Sequence, residues 1–171
     1  MTDKQHTGPN RSNFAIYREG GSTPEVRLTI ALVLAARRWR ALIDEKLRSM
    51  GHSSARMEAL SAIMNSPDPS AQVDIANRLR IEGPTMTRMI DALSRDGLVE
   101  RHPAPQDRRT KYLRLTESGE AALEEIFGVT DEMRTRLLEG LSEQEVDRLH
   151  EILRLLLSRL DAGLPGPGAT P

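Results

Sequence analysis

The stretch RHPAPQDRRTKYLRLT, residues 101–116, gathers Arg101, His102, Arg108, Arg109, Lys111 and Arg114 around two prolines and one aspartate. Its return arm alternates, with Leu113 and Leu115 set between Tyr112 and Arg114. A period of two puts one set of side chains on each face of a strand. The stretch therefore predicts two short extended arms flanking a charged tip. Pro103 and Pro105 stiffen the outgoing arm and limit the entropy lost on docking. Asp107 would repel a phosphate, so its expected task is to hold an arginine such as Arg109, or to cap the turn. Taken alone, the hairpin reads equally well as a solvent-screened charge cluster. Its neighbours decide between the two.

Directly before it runs IEGPTMTRMIDALSRDGLVE, residues 81–100. Gly83 and Pro84 mark a helix start and Gly97 its end. Met86, Met89, Ile90 and Leu93 fall on one side, while Thr85, Thr87, Arg88, Asp91 and Arg95 supply the polar faces. A basic, hydroxyl-bearing face at the first turn suits a helix that reads a DNA groove. The plain alternative is an amphipathic helix with an ordinary solvated face. Further upstream, PDP at 67–69 breaks the chain, and Asp68 is expected to cap a short helix that carries Pro69 in its first turn and runs to about Leu79.

Working outward, residues 24–50 form a long helix that starts at Pro24 and stops at Gly51, with Leu28, Leu32, Ala35, Trp39, Leu42 and Leu47 at helical spacing. Residues 54–65 form another, capped by Ser53 or Ser54. Downstream, Thr116 caps a long helix through about Leu138, Gly140 interrupts, and Ser142 with Glu145 makes a capping box for the last helix. That helix is apolar nearly all round. Leu149, Ile152, Leu153, Leu156 and Leu160 are expected to meet a second copy of the chain, since a monomeric core helix does not need so many apolar positions.

The charge pattern agrees with a local basic surface. Net charge is −1, yet residues 77–114 hold nine Arg/Lys against five Asp/Glu, and residues 115–161 hold five against twelve. There is no cysteine, which excludes disulfides and thiolate metal sites, and the four histidines share no metal-binding spacing. No metal, cofactor or catalytic residue is expected. With neither a Gly-rich phosphate loop nor a carboxylate pair beside a histidine, an enzyme is a poor reading. No apolar run approaches the roughly 20 residues that span a bilayer, and the polar N-terminus lacks a secretory signal, so a cytoplasmic location with no membrane partner is expected.

The segment VDIANRLRIEGPTMTRMIDALSRDGLVERHPAPQDRRTKYLRLTESGEAAL, residues 73–123, resembles the core of MarR-family transcriptional regulators. The pieces that carry the resemblance are PTMTRMIDAL, DGLVER, the Asp107-Arg108-Arg109 tip and LTESG, and it extends over about residues 26–160. RRWRALIDEKL, residues 37–47, resembles the SlyA-like branch. The resemblance implies a mainly α fold with a small β-hairpin wing, a winged helix-turn-helix flanked by dimerisation helices. Residues 1–23 would be a flexible arm, 24–52 the N-terminal helix, 53–115 the DNA-binding domain, 116–161 the C-terminal dimerisation helices and 162–171 a flexible tail.

It also implies a function: binding, as a homodimer, to a double-stranded, pseudo-palindromic DNA operator. Pro84, Thr85, Thr87 and Arg88 would meet the major groove, with Arg88 reading a guanine edge. Arg108 would enter a neighbouring minor groove while Arg101, Arg109 and Lys111 meet phosphates. Relatives commonly bind small aromatic or phenolic carboxylates where the first helices join the winged domain. Arg38, Trp39, Met57 and Leu60 are the candidate effector residues here, against the simpler reading of Trp39 as core. Two other readings stay open: a ligand-independent anti-silencing regulator, and a helical protein-interaction module that does not bind DNA.

Overall fold

The computed structural model describes residues 13–68, 70–104 and 110–164. They form seven helices and three short strands: α1 (Asn13–Arg18), α2 (Pro24–Arg48), α3 (Ser54–Met64), β1 (Ser70–Ala71), α4 (Gln72–Leu79), α5 (Gly83–Arg95), β2 (Val99–Pro103), β3 (Lys111–Leu115), α6 (Glu117–Leu137) and α7 (Glu143–Asp161). This is the mainly α chain with a β-hairpin that the sequence predicts. The chain divides into two compact units, one ending at Leu123 and the other beginning at Glu124.

The first unit owes its shape to one apolar stripe per helix. Leu60 and Ile63 of α3, Ile75 of α4, Met86, Ile90 and Leu93 of α5 and Leu113 of β3 are all buried. Met86, Ile90 and Leu93 are four and three residues apart, the spacing that aligns side chains along one helix face. β3 is the central strand. It pairs antiparallel with β2 from Val99↔Leu115 to Pro103↔Lys111, and with β1 at Ser70↔Leu113 and Ala71↔Tyr112.

Caps set the boundaries. Thr23 and Ser53 cap α2 and α3, and Ser142 with Glu145 forms the complete capping box of α7. α5 ends in a Schellman turn: Gly97 takes φ +73°, its N–H donates to the Ser94 carbonyl at 3.1 Å, and the Leu98 N–H donates to Leu93 at 2.9 Å. Leu93 and Leu98, both buried, supply the apolar contact that accompanies such a turn.

One expectation is corrected. Asp68 does not cap the short helix, because its carboxylate is taken by Arg114 of β3, at 2.9 and 2.7 Å from Nε and Nη2. The chain then enters α4 from β1, with Ala71 at the N-cap position and no side-chain cap bond among the described residues. The N-terminal arm contains α1, a helix the polar sequence around it did not signal.

Asp44 of α2 acts as a cap from outside α3: its Oδ1 accepts the Ser54 N–H at 2.6 Å. That bond holds the Asp44 carboxyl below the usual aspartate range. A lowered folded pKa means the contribution is complete above the unfolded value and is lost as pH falls through the lowered one. Asp44→Ala should cost about 1 kcal/mol at neutral pH, as losing a cap does. The gap to the wild type should close as pH falls through the lowered folded-state pKa, once the carboxyl is protonated in the folded and unfolded states alike; melting curves across pH check both points.

Candidate nucleic-acid interface

α4 and α5 are joined by a tight turn at Arg80, which adopts the left-handed conformation at φ 54°. The Ile81 N–H closes this turn on the Ala76 carbonyl at 3.1 Å. With its inner stripe seated in the core, α5 presents Pro84, Thr85, Thr87, Arg88, Asp91 and Arg95 to solvent. Met89, expected on the inner side, is half-buried at the edge of the stripe. Arg88 has no partner among the described residues, and neither does Lys111 at the start of β3. Unpaired cations on one side of a protein are the elementary requirement for meeting phosphate or a base edge.

The hairpin follows α5 without delay. The Ala104 N–H donates to the Thr110 carbonyl at 3.0 Å, one step beyond the Pro103↔Lys111 pair. Residues 105–109 lie outside the described residues, so the roles expected of Asp107, Arg108 and Arg109 fall there as well.

Arg101, expected on phosphate, is engaged within the protein. Its Nη1 lies 2.6 Å from Asp91 Oδ1 on α5, and its Nη2 donates to the Thr87 carbonyl at 3.4 Å. It therefore braces β2 against the exposed helix, and Asp91 is the residue whose part the polar-face pattern left unassigned. Gln72 is a second such residue: its Nε2 donates to Thr87 Oγ1 at 3.1 Å, linking the first turn of α4 to the outer face of α5. Arg56 of α3 meets Asp96 at the end of α5 at 2.6 Å. The bidentate Asp68 pairing holds the Arg114 guanidinium above its ordinary range, which leaves Arg114 a structural cation.

The candidate effector residues occupy unlike environments. Arg38 is exposed with no partner among the described residues, Trp39 is half-buried, and Met57 and Leu60 are buried in α3. Of the dimerisation candidates on α7, Leu149, Ile152, Leu153 and Leu160 are exposed and Leu156 is half-buried. α7 has no buried residue at all.

A family model described as "MarR family" matches residues 53–111, from the cap of α3 to the first residue of β3. Among solved structures, the transcriptional regulator PA3341 is 30% identical, with a TM-score of 0.70 over 79% of this chain and 98% of its own. MepR of S. aureus, solved as a DNA complex, is 28% identical, with a TM-score of 0.69 over 76% of this chain and 96% of its own. A mutant of MarR from E. coli, solved with operator DNA, is 26% identical, with a TM-score of 0.70 over 77% and 94%. With the family's model on the helix-turn-helix and outgoing strand, and the same fold shared over nearly the full length of these relatives, the chain belongs to the MarR family.

Proposed function

We propose that this protein is a transcriptional regulator that binds a pseudo-palindromic DNA operator as a homodimer. The observation that carries the proposal is α5 itself: an inner stripe fully buried, an outer face of Thr85, Thr87 and Arg88 left open, and a hairpin leading straight out of its end. The MepR and MarR structures solved with DNA support the same reading. α5 enters the major groove, Arg88 reads a guanine edge through its two-pronged guanidinium, and Pro84, Thr85 and Thr87 complete the contact. At the wing, Lys111 and Arg109 meet phosphate and Arg108 probes the minor groove, with Asp107 orienting the tip. Arg101 serves as the brace that keeps wing and helix in register. RRWRALIDEKL supports a place in the SlyA-like branch.

Two substitutions separate the tasks. Arg88→Ala should weaken operator binding by about 1–3 kcal/mol and relax preference at one base. Arg108→Ala should weaken binding across sequences and leave the melting temperature unchanged. A titration in which Arg88→Ala keeps the wild-type base preference would remove it from direct readout.

Release by a small aromatic or phenolic carboxylate, or its thioester, completes the proposal. Arg38, next to Trp39 in the chain, supplies a guanidinium with no partner among the described residues. A ligand that prefers a dimer with wrongly spaced α5 helices lowers DNA affinity by its differential binding. Calorimetry with salicylate-like acids should show binding weakened by operator DNA; indifference to the operator would remove the sensor from the proposal.

A further inference from the structure

Thr87 stands on the outer face of α5, and two other elements hold it. Its Oγ1 accepts a hydrogen bond from Gln72 Nε2 at 3.1 Å, and its carbonyl accepts a longer one from Arg101 Nη2 at 3.4 Å. Both holders are themselves anchored. Arg101 is tied to Asp91 at 2.6 Å. Gln72 opens α4 immediately after β1, whose residues Ser70 and Ala71 are paired with Leu113 and Tyr112 of the central strand. The amide therefore reaches Thr87 from a backbone position pinned by the sheet.

A threonine hydroxyl has one proton to give and two lone pairs to accept with. Gln72 occupies a lone pair, and the hydroxyl proton has no acceptor among the described residues. We infer that Gln72 is a positioning residue that takes one of the two lone pairs of the Thr87 hydroxyl and so biases it toward donating on the DNA-facing side of α5, which disfavours cytosine at the base it meets. In the major groove guanine offers O6 and N7, adenine N7 and thymine O4 as acceptors, whereas cytosine offers only its N4 amino donor. A hydroxyl proton turned toward the cytosine amino group leaves both donors unpaired, and with Gln72 on one lone pair only one remains to accept from it. This inference rests on the DNA-binding function proposed above.

The sign of the Gln72 hydrogen bond makes the inference testable. Glutamate at this place accepts the Thr87 proton and leaves the hydroxyl lone pairs facing outward, reversing what Thr87 can read. Randomised operator libraries selected with the full-length protein, the wild type beside Thr87→Val, Gln72→Ala and Gln72→Glu, report base preference at every position. Wild type should disfavour cytosine roughly tenfold at one position in each half-site. Thr87→Val, which keeps the shape and loses the hydroxyl, should erase that exclusion and so identify the position. Gln72→Ala should relax it there and nowhere else, and Gln72→Glu should invert it toward cytosine, with a uniform loss of affinity from the added negative charge. A Gln72→Ala or Gln72→Glu profile identical to wild type overturns the inference while leaving the DNA-binding function standing. Wild-type protein that selects no sequence overturns both.

Discussion

Gly119→Ala should cost the first unit about 3 kcal/mol, at the upper end of what overpacking a tight site costs. For a chain of this size that is a fall in melting temperature of roughly 6–12 °C. The reason is a contact between two backbones. A Cβ on Gly119 would lie 2.0 Å from the Leu98 carbonyl oxygen and 3.0 Å from its carbon. Leu98 cannot withdraw, because that same oxygen accepts the Thr116 N–H at 3.1 Å and the residue closes the Schellman turn of α5. Thr116 cannot either: its hydroxyl donates to the Gly97 carbonyl at 2.6 Å and accepts the Gly119 N–H at 3.0 Å. The first turn of α6 is thus pressed onto the turn that leads from α5 into the hairpin. Gly128, on the same helix, supplies the control. Nothing lies within 4 Å of a Cβ built there, so Gly128→Ala should raise stability by roughly 0.5–1 kcal/mol through helix propensity alone. Equal effects at the two positions would mean that the Gly119 contact is not what requires glycine.

The second large effect concerns α7. Leu153 and Leu160 are 41% and 55% exposed, and α7 has no buried residue. Burying one leucine contributes about 1.5–3 kcal/mol, and a row of them left to water is a surface waiting for a partner. The double replacement Leu153→Glu with Leu160→Glu should convert the proposed dimer to monomer while helical content stays unchanged. Operator affinity should then fall by roughly 10²–10⁴, the advantage that two linked half-site contacts have over one. Sedimentation and DNA titration on the same sample read both quantities. A variant that stays dimeric would move the interface elsewhere.

Much of this was legible in the sequence, for physical reasons that differ by element. The Gly-Pro start and glycine end of α5, the capping box of α7 and the Thr116 cap of α6 depend on neighbours within a few residues, so the linear order displays them. The buried stripe of α5 and the apolar positions of β3 are periodic, and period is likewise local information. Asp68 shows the limit. It precedes a helix and looks like a cap, but its partner is Arg114, 46 residues away and brought near by the sheet. β1 has only two residues, too few to show any period, and it exists because β3 offers a free edge. Arg101 carried the expectation that a basic residue beside a wing meets phosphate; the fold sets Asp91 against it first. Gln72 and Gly119 gave no local signal, since one acts through a neighbouring helix and the other through the approach of a distant carbonyl.

The most direct test of the central claim is selection of bound fragments from sheared genomic DNA with the full-length protein, followed by titration of the recovered site against salt. The expected result is one enriched pseudo-palindrome whose half-sites lie about 34–36 Å apart, one helical turn. Its affinity should fall by roughly 10³ or more between about 50 and 200 mM salt as phosphate contacts release counterions. Recovered fragments that share no sequence, or binding that ignores salt, would contradict a dimer reading DNA through α5 and its wing.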